Sequence, residues 1–91
     1  MCTINISYIL KNADYPTAGS KLYDVIIAQY DSEDFFILDL QDVDALPSMF
    51  LNTSIGKLIS DKGKMALKKI RFINITKSQA ERIKDYVAKV S

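Results

Sequence analysis

Hydrophobic and polar residues alternate at the start of the chain. Ile4, Ile6 and Tyr8 are separated by polar residues within the stretch 2–10. This period of two predicts a β-strand with one face in water. Such a half-exposed strand is typical of the edge of a sheet, so we expect residues 2–10 to form an edge strand.

A helical period and a continuous apolar run predict the next two elements. Residues 11–17 have the composition of a loop, and Thr17 is placed to cap a helix over residues 18–30, where apolar positions recur three or four apart. Residues 35–40 are apolar except at Asp39. A run of this kind is typical of a strand at the centre of a parallel sheet.

The same order of elements continues in the second half. After a loop over residues 41–47, Ser48 is placed to cap a helix that Gly63 ends. Apolar residues at the core-facing spacing of that helix include Phe50. Residues 67–75 then regain the composition of a strand.

A capping box predicts where the last helix begins. Thr76 and Gln79 have the Thr-x-x-Gln spacing of this motif, and apolar positions continue at helical spacing to the end. The predicted order is therefore β-α-β-α-β-α. Right-handed crossovers make this a small α/β sandwich with a mainly parallel sheet. We expect a single domain over residues 1–91.

The amino-acid composition limits the kinds of catalytic and metal site that the chain can form. The 91 residues include no histidine and one cysteine, Cys2. The usual set of zinc ligands is therefore missing, and so is the histidine that pairs with a cysteine or serine nucleophile. We expect a non-enzymatic protein without metal or cofactor. No stretch approaches the about 20 apolar residues that span a bilayer, and the first ten residues lack a basic leader. These features favour a cytoplasmic protein with no membrane partner.

Charge is unevenly distributed along the chain. Residues 1–56 contain two basic and eight acidic residues, whereas residues 57–71 contain six basic residues and one acidic residue. Phe72 is the only aromatic residue beside this basic segment. Surfaces that bind nucleic acid interleave basic and aromatic residues, so the pattern does not favour a nucleic-acid partner.

Polar side chains follow the predicted central strand, where open α/β sheets bind ligands. Asp39, Asp42 and Asp44 there suggest a magnesium or phosphoryl site, but there is no second acidic strand end and no glycine-rich phosphate loop. A structural role as loop and turn residues explains these three aspartates better than a ligand site does. Ser48 has two interpretations, a helix cap or a hydroxyl that accepts a phosphate.

Three segments resemble bacterial STAS-like domains of unknown function. In residues 36–52 an apolar strand ends in Asp39 and is followed by a short loop and a Ser-x-Phe helix start. The strand and helix over residues 70–83 and the helix start over residues 19–27 are also similar to that family. The resemblance implies a STAS-like α/β fold.

The better-known relatives are anti-sigma-factor antagonists. In these proteins a serine at the start of the helix after the central strand is phosphorylated by an ATPase-type kinase, and this controls binding to that kinase. Here the corresponding turn is Pro47-Ser48-Met49-Phe50, with one serine and no glycine. The family's phosphoacceptor position falls closer to Met49 than to Ser48.

The resemblance implies a regulatory module that binds a protein partner, with a histidine-kinase-like ATPase as one candidate. We expect the partner to bind the loop and helix start, at Asp42, Asp44, Ser48, Met49 and Asn52, with Ser48 as the candidate phosphoacceptor. The alternative is a small-ligand or nucleotide sensor that uses the cleft at the strand ends. A phosphotransfer or hydrolytic enzyme is a third, weaker hypothesis. The edge strand also makes a homodimer a hypothesis.

Overall fold

The computed structural model describes residues 2–11, 13–44 and 46–90. Its strands and helices follow one another along the chain in the order β1 (Cys2–Asn5), α1 (Ile6–Leu10), α2 (Tyr15–Ala28), β2 (Phe36–Asp39), α3 (Ser48–Thr53), α4 (Ile55–Lys62), a 3₁₀ helix (Lys64–Lys69), β3 (Ile70–Ile73) and α5 (Lys77–Val90). The mixed α/β class predicted from the sequence is confirmed.

The three strands form an all-parallel sheet in the order β1-β2-β3. The prediction that the second strand is central is therefore confirmed. The register places Ile4, Leu38 and Phe72 in one row across the sheet. Ile4 and Leu38 are buried on the face that the helices cover.

Helices α2, α3 and α4 supply the other half of the core. Leu22 and Ile26 of α2 are fully buried in the same cluster as the inward side chains of the sheet. α2 and α3 approach closely at Gly19, where an added Cβ would lie 2.7 Å from the carbonyl oxygen of Phe50. Only glycine leaves room for this contact.

The first strand is shorter than predicted. It ends at Asn5, because the Asn5 side chain accepts a hydrogen bond from the Tyr8 backbone N–H at 2.9 Å and so begins helix α1. Ile6 is still buried, but Tyr8 is 78% exposed. The alternation that predicted a strand over residues 2–10 therefore spans two different elements.

The second helix begins earlier than predicted. Asp14, not Thr17, is its cap, and its side chain accepts a hydrogen bond from the Thr17 backbone N–H at 3.0 Å. The Thr17 side chain and, to a smaller extent, the Thr17 backbone N–H lower the pKa of Asp14 by hydrogen bonding to its carboxylate. Pro16 fits because the first turn of a helix needs no N–H at that position.

The long helix predicted after Ser48 is two helices that break at Ser54. The side chain of this buried residue donates a 2.7 Å hydrogen bond to the Phe50 carbonyl oxygen, and its backbone leaves the helical conformation. Side-chain bonds of this type compete with the helical ladder. Gly63, with a φ of 80°, ends α4 as predicted.

The third strand is also shorter than the predicted residues 67–75. Residues 64–69 form a 3₁₀ helix, and only Ile70–Ile73 pair with β2. The central strand is buried on one face only, since Phe36 and Leu38 point into the core and Ile37 is half-buried. Phe35 precedes the strand and is exposed.

Candidate functional site

The loop after β2 is fixed by buried apolar residues. Leu40, Val43 and Leu46 are buried, and the Val43 N–H donates a 3.1 Å hydrogen bond to the Leu40 carbonyl oxygen. Asp42 adopts a φ of 66° within this turn, a conformation that aspartate tolerates better than most residues. Asp42 and Asp44 are both exposed.

Asp39 has a structural role at the end of the central strand. Its carboxylate accepts hydrogen bonds from the Asn74 side chain and the Gln41 backbone N–H, both at 2.9 Å. These bonds lower the pKa of Asp39, with the Asn74 bond the larger cause. The contact ties the carboxyl ends of β2 and β3 together. Within the described ranges no three histidine, cysteine or acidic side chains are grouped to hold a metal ion.

The start of α3 presents polar and apolar side chains to solvent. Pro47 is the cap, and its carbonyl oxygen accepts hydrogen bonds from the N–H groups of Phe50 and Leu51, both at 3.1 Å. The prediction that Ser48 is the cap is therefore wrong, because Ser48 is the first residue inside the helix. Ser48 is exposed, and Met49 is 57% exposed.

Asn52 connects α3 to the last helix. It is exposed, and its side-chain oxygen accepts a 2.6 Å hydrogen bond from the Tyr86 hydroxyl. Burial raises the pKa of Tyr86. The hydroxyl also lies against Gly56, where an added Cβ would be 2.2 Å away. A side chain at Gly56 would therefore push Tyr86 from its position.

These five residues, Asp42, Asp44, Ser48, Met49 and Asn52, form one stretch of chain that we call the 42–52 surface. All five are exposed in the structure. The neighbouring Phe50, Leu51 and Ile55 are buried, as the helical spacing predicts. The surface is therefore a set of accessible side chains on a backbone that the core holds in place.

Helix α5 holds the loop of this surface through two side chains that the sequence did not single out for this role. Gln79 is 4% exposed, and its amide donates a 2.6 Å hydrogen bond to the Val43 carbonyl oxygen. The Arg82 guanidinium donates to the Leu46 carbonyl oxygen. Both contacts join positions 36 residues apart. Nothing in a local spacing pattern identifies such partners.

Gln79 also forms the predicted capping box. Its side-chain oxygen accepts a 3.0 Å hydrogen bond from the Thr76 N–H, and its own N–H donates a 3.1 Å bond to the Thr76 hydroxyl. One buried side chain therefore caps α5 with its oxygen and holds the loop with its nitrogen. The amide group is needed for both tasks.

Two of the open grooves between α5 and the 42–52 surface are lined by Arg82. One, of about 380 Å³, includes Ser48, Leu51 and Tyr86 in its lining. The other, of about 320 Å³, includes Asp44. Residues from α5 therefore border the positions predicted to meet a partner.

The basic segment 57–71 is largely engaged within the protein. Four of its cations lie over aromatic rings, at 4.3 to 5.1 Å from the ring centres. The pairs are Lys57 with Tyr23, Lys62 and Lys69 with Tyr30, and Arg71 with Phe35. Lys69 also donates a 3.0 Å hydrogen bond to the Glu33 carbonyl oxygen. These cations pack against the domain itself.

A comparison with known protein families identifies the family of this chain. Residues 18–89 match the family described as "STAS-like domain of unknown function (DUF4325)". The chain belongs to this family. The resemblance identified from the sequence is therefore confirmed, and the match to this STAS-like family runs from α2 to α5.

The family description states a fold relationship and leaves the function open. Neither a search of curated proteins nor a search of solved structures returned a match for this STAS-like domain. Among the described parts of the chain, every helix is too short or too polar to cross a bilayer.

Proposed function

We propose that this STAS-like domain is a non-enzymatic regulatory module that binds a protein partner through the 42–52 surface. The proposal rests on the exposure of all five side chains of that surface. It also rests on the way the surface is held, from below by Phe50 and Leu51 and from the side by Gln79 and Arg82. A surface fixed before binding loses little conformational entropy when a partner docks.

Met49 is the observation that carries the proposal. Its side chain is 57% exposed, although the residues that follow it are buried. Exposed methionine is a common anchor on protein-binding surfaces, because its flexible apolar side chain fills pockets of different shape. Met49 stands on a helix that Phe50 and Leu51 fix to the core, so it is available at a defined position.

Charge indicates the chemistry of the partner. Asp42 and Asp44 are exposed in the loop that precedes the helix of Met49. A complementary partner offers an apolar pocket for Met49 with lysine or arginine side chains around it. A histidine-kinase-like ATPase is the candidate that the resemblance to anti-sigma-factor antagonists suggests.

Phosphorylation of Ser48 would regulate such binding. The Ser48 hydroxyl is exposed at the first position of α3. A phosphate there adds close to two negative charges to a surface that already contains Asp42 and Asp44. We expect phosphorylation to weaken binding, because the phosphate would have to be desolvated beside the apolar pocket proposed for Met49. Intact-mass analysis of the protein from its native host tests for the phosphate.

A capture experiment with matched variants tests the proposal. Tagged wild type, Met49→Lys and Met65→Lys are used to capture proteins from the native host. Met65 is 72% exposed on the 3₁₀ helix outside the 42–52 surface, so its variant controls for adding a lysine to an exposed methionine. The partner is the protein that Met49→Lys loses and Met65→Lys retains. We expect at least about a tenfold loss of affinity for Met49→Lys in calorimetry.

Equal capture by both lysine variants would remove the 42–52 surface from the proposal. The sensor alternative makes a different prediction, a small molecule that stays bound in native mass spectrometry. The strand ends offer it little support, because Leu40 and Val43 are buried there and Asp39 is bonded to Asn74. A copurifying small molecule, with no captured protein, would favour the sensor.

A further inference from the structure

The two edges of the parallel sheet are protected to different degrees. On β3, Arg71 is exposed, and its guanidinium donates hydrogen bonds to the carbonyl oxygens of Lys68 and Ile70, at 2.7 and 3.2 Å. Lys68 and Lys69 directly precede this strand. Charged side chains on an edge strand oppose the addition of another strand, so the β3 edge is protected.

The described residues of the β1 edge carry no such charge. Thr3, Ile4 and Asn5 carry no charge, and the strand contains no proline. In the part of the chain that the structure describes, β1 pairs with β2 and with no other strand. Its outer side therefore presents backbone groups to a further strand.

We propose that β1 is a self-association edge, on which β1 of a second copy of this chain pairs in antiparallel orientation. The product is a two-fold symmetric dimer with one six-stranded sheet, in the order β3-β2-β1-β1-β2-β3. This surface is separate from the 42–52 surface, and neither proposal depends on the other.

Charge and symmetry select this arrangement among the ways in which two edges can meet. Pairing β3 with β3 would bring two copies of the exposed Arg71 and Lys68 together, and like charges across strands are destabilising. Pairing β1 with β3 would leave a free edge at each end and allow open-ended growth. Only the pairing of β1 with β1 closes on itself without charge repulsion.

The side-chain pattern of β1 is self-complementary. Ile4 is buried on the core face, whereas Thr3 and Asn5 are exposed on the other face. With Ile4 opposite its counterpart, Thr3 faces Asn5 of the second copy, and the two core faces lie on the same side. A slip of one residue would set Ile4 against polar side chains. The pattern therefore favours a continuous sheet.

The length of β1 indicates a weak dimer. The strand has four residues, so the pairing alone buries less surface than the about 1,200 Å² typical of stable complexes. We expect a monomer–dimer equilibrium that depends on concentration. Sedimentation velocity of the wild-type chain from about 10 µM to about 1 mM should show the average mass rising towards that of a dimer.

Charged variants of Thr3 test the edge directly. Across the two-fold axis the Thr3 positions lie about 7–8 Å apart, within the screening length at low salt. Thr3→Lys and Thr3→Asp should each raise the dimer dissociation constant at least about fivefold through like-charge repulsion. An equimolar mixture of the two variants should restore association, because opposite charges then meet. Ile73→Lys, at an exposed position on β3, is the matched control and should leave the equilibrium unchanged.

Three results would overturn the proposal. One is a wild-type chain that stays monomeric up to about 1 mM, a result that needs no variant. Another is an Ile73→Lys variant that dissociates as readily as Thr3→Lys. The third is a mixture of the two Thr3 variants that associates no better than either alone. Circular dichroism of each variant establishes that it is folded.

Discussion

Two helices of equal length are held in different ways. α2 and α5 each have 14 residues. α2 buries five residues in the core, one of them a glycine, whereas the only buried residue among those described on α5 is the polar Gln79. α5 is attached by half-buried apolar residues and by the hydrogen bonds of Gln79, Arg82 and Tyr86.

The difference shows which helix stabilises the core of this STAS-like domain and which helix contacts its exposed 42–52 surface. α2 belongs to the apolar core, and its loss would remove the cover of the sheet. α5 contacts the loop and helix of the 42–52 surface by polar groups at defined atoms. A change at α5 is therefore transmitted to that surface, while a change at α2 affects the whole domain.

Truncation of one apolar residue on each helix gives the largest expected contrast. Leu22→Ala in α2 should lower the free energy of unfolding by about 2–5 kcal/mol, because it leaves a cavity in the core. Ile83→Ala in α5 should cost no more than about 1.5 kcal/mol, because Ile83 is only half-buried. Urea denaturation measures both. Equal losses would mean that α5 is part of the core.

The second prediction separates the two tasks of Gln79. Gln79→Glu keeps the oxygen that caps α5 and removes the N–H that donates to Val43, so we expect a loss of about 1–3 kcal/mol at neutral pH. Thr76→Ala removes the hydroxyl that accepts from the Gln79 backbone N–H and leaves both bonds of the Gln79 side chain, at a cost of about 1 kcal/mol.

Lowering the pH provides the control for Gln79→Glu. A protonated carboxyl can donate to the Val43 carbonyl oxygen, so the loss of stability should shrink in mild acid. If Gln79→Glu is as stable as wild type at neutral pH, the hydrogen bond from Gln79 to Val43 does not stabilise the contact between α5 and the loop.

The last residue of β2 is a titratable group with a smaller expected effect on stability. The pKa of Asp39 is lowered in the folded protein, chiefly by Asn74, so its stabilising effect is present above the ordinary aspartate value and is lost as the pH falls through the folded value. Asp39→Asn keeps an acceptor oxygen without the charge. The unfolding free energy of this variant should therefore fall less steeply below about pH 4 than that of wild type. Identical slopes would contradict this role of Asp39.

The smallest expected effect concerns Ser48. Ser48→Asp introduces an acid in the first turn of α3, where negative charge is tolerated, and the side chain is exposed. Stability should change by less than about 0.5 kcal/mol. A thermal melt that shifts strongly would show that Ser48 has contacts beyond those described above.

Local patterns predicted the parts of the molecule that local chemistry determines. The capping box of Thr76 and Gln79, the end of α4 at Gly63 and the central strand all follow from near neighbours in sequence. The break at Ser54 was missed because its bond to Phe50 competes with an otherwise continuous helical pattern. The shortening of the first strand has a similar cause at Asn5.

Ser48, Met49 and Asn52 could be selected from helical spacing, since the residues between Met49 and Asn52 face the core. Asp42 and Asp44 could be selected only from their place in the loop after the central strand.

The role of α5 beside the 42–52 surface could not be predicted from the sequence. The bonds of Gln79 to Val43 and of Arg82 to Leu46 depend on how distant segments pack, and a sequence pattern contains no signal for them. The capping box leaves the side-chain nitrogen of Gln79 without an assigned acceptor, but it does not identify Val43 as that acceptor.

Hydrogen exchange measured by mass spectrometry on wild type and Gln79→Glu tests whether α5 positions the 42–52 surface through Gln79. If polar contacts hold α5 to the loop, the variant should speed exchange in α5 and in residues 40–47 together by about tenfold, the factor for about 1.4 kcal/mol. Exchange in α2 should then stay unchanged apart from the effect of lower global stability. Equal acceleration in α2 and α5, or no change in residues 40–47, would contradict the claim that α5 positions the 42–52 surface through Gln79.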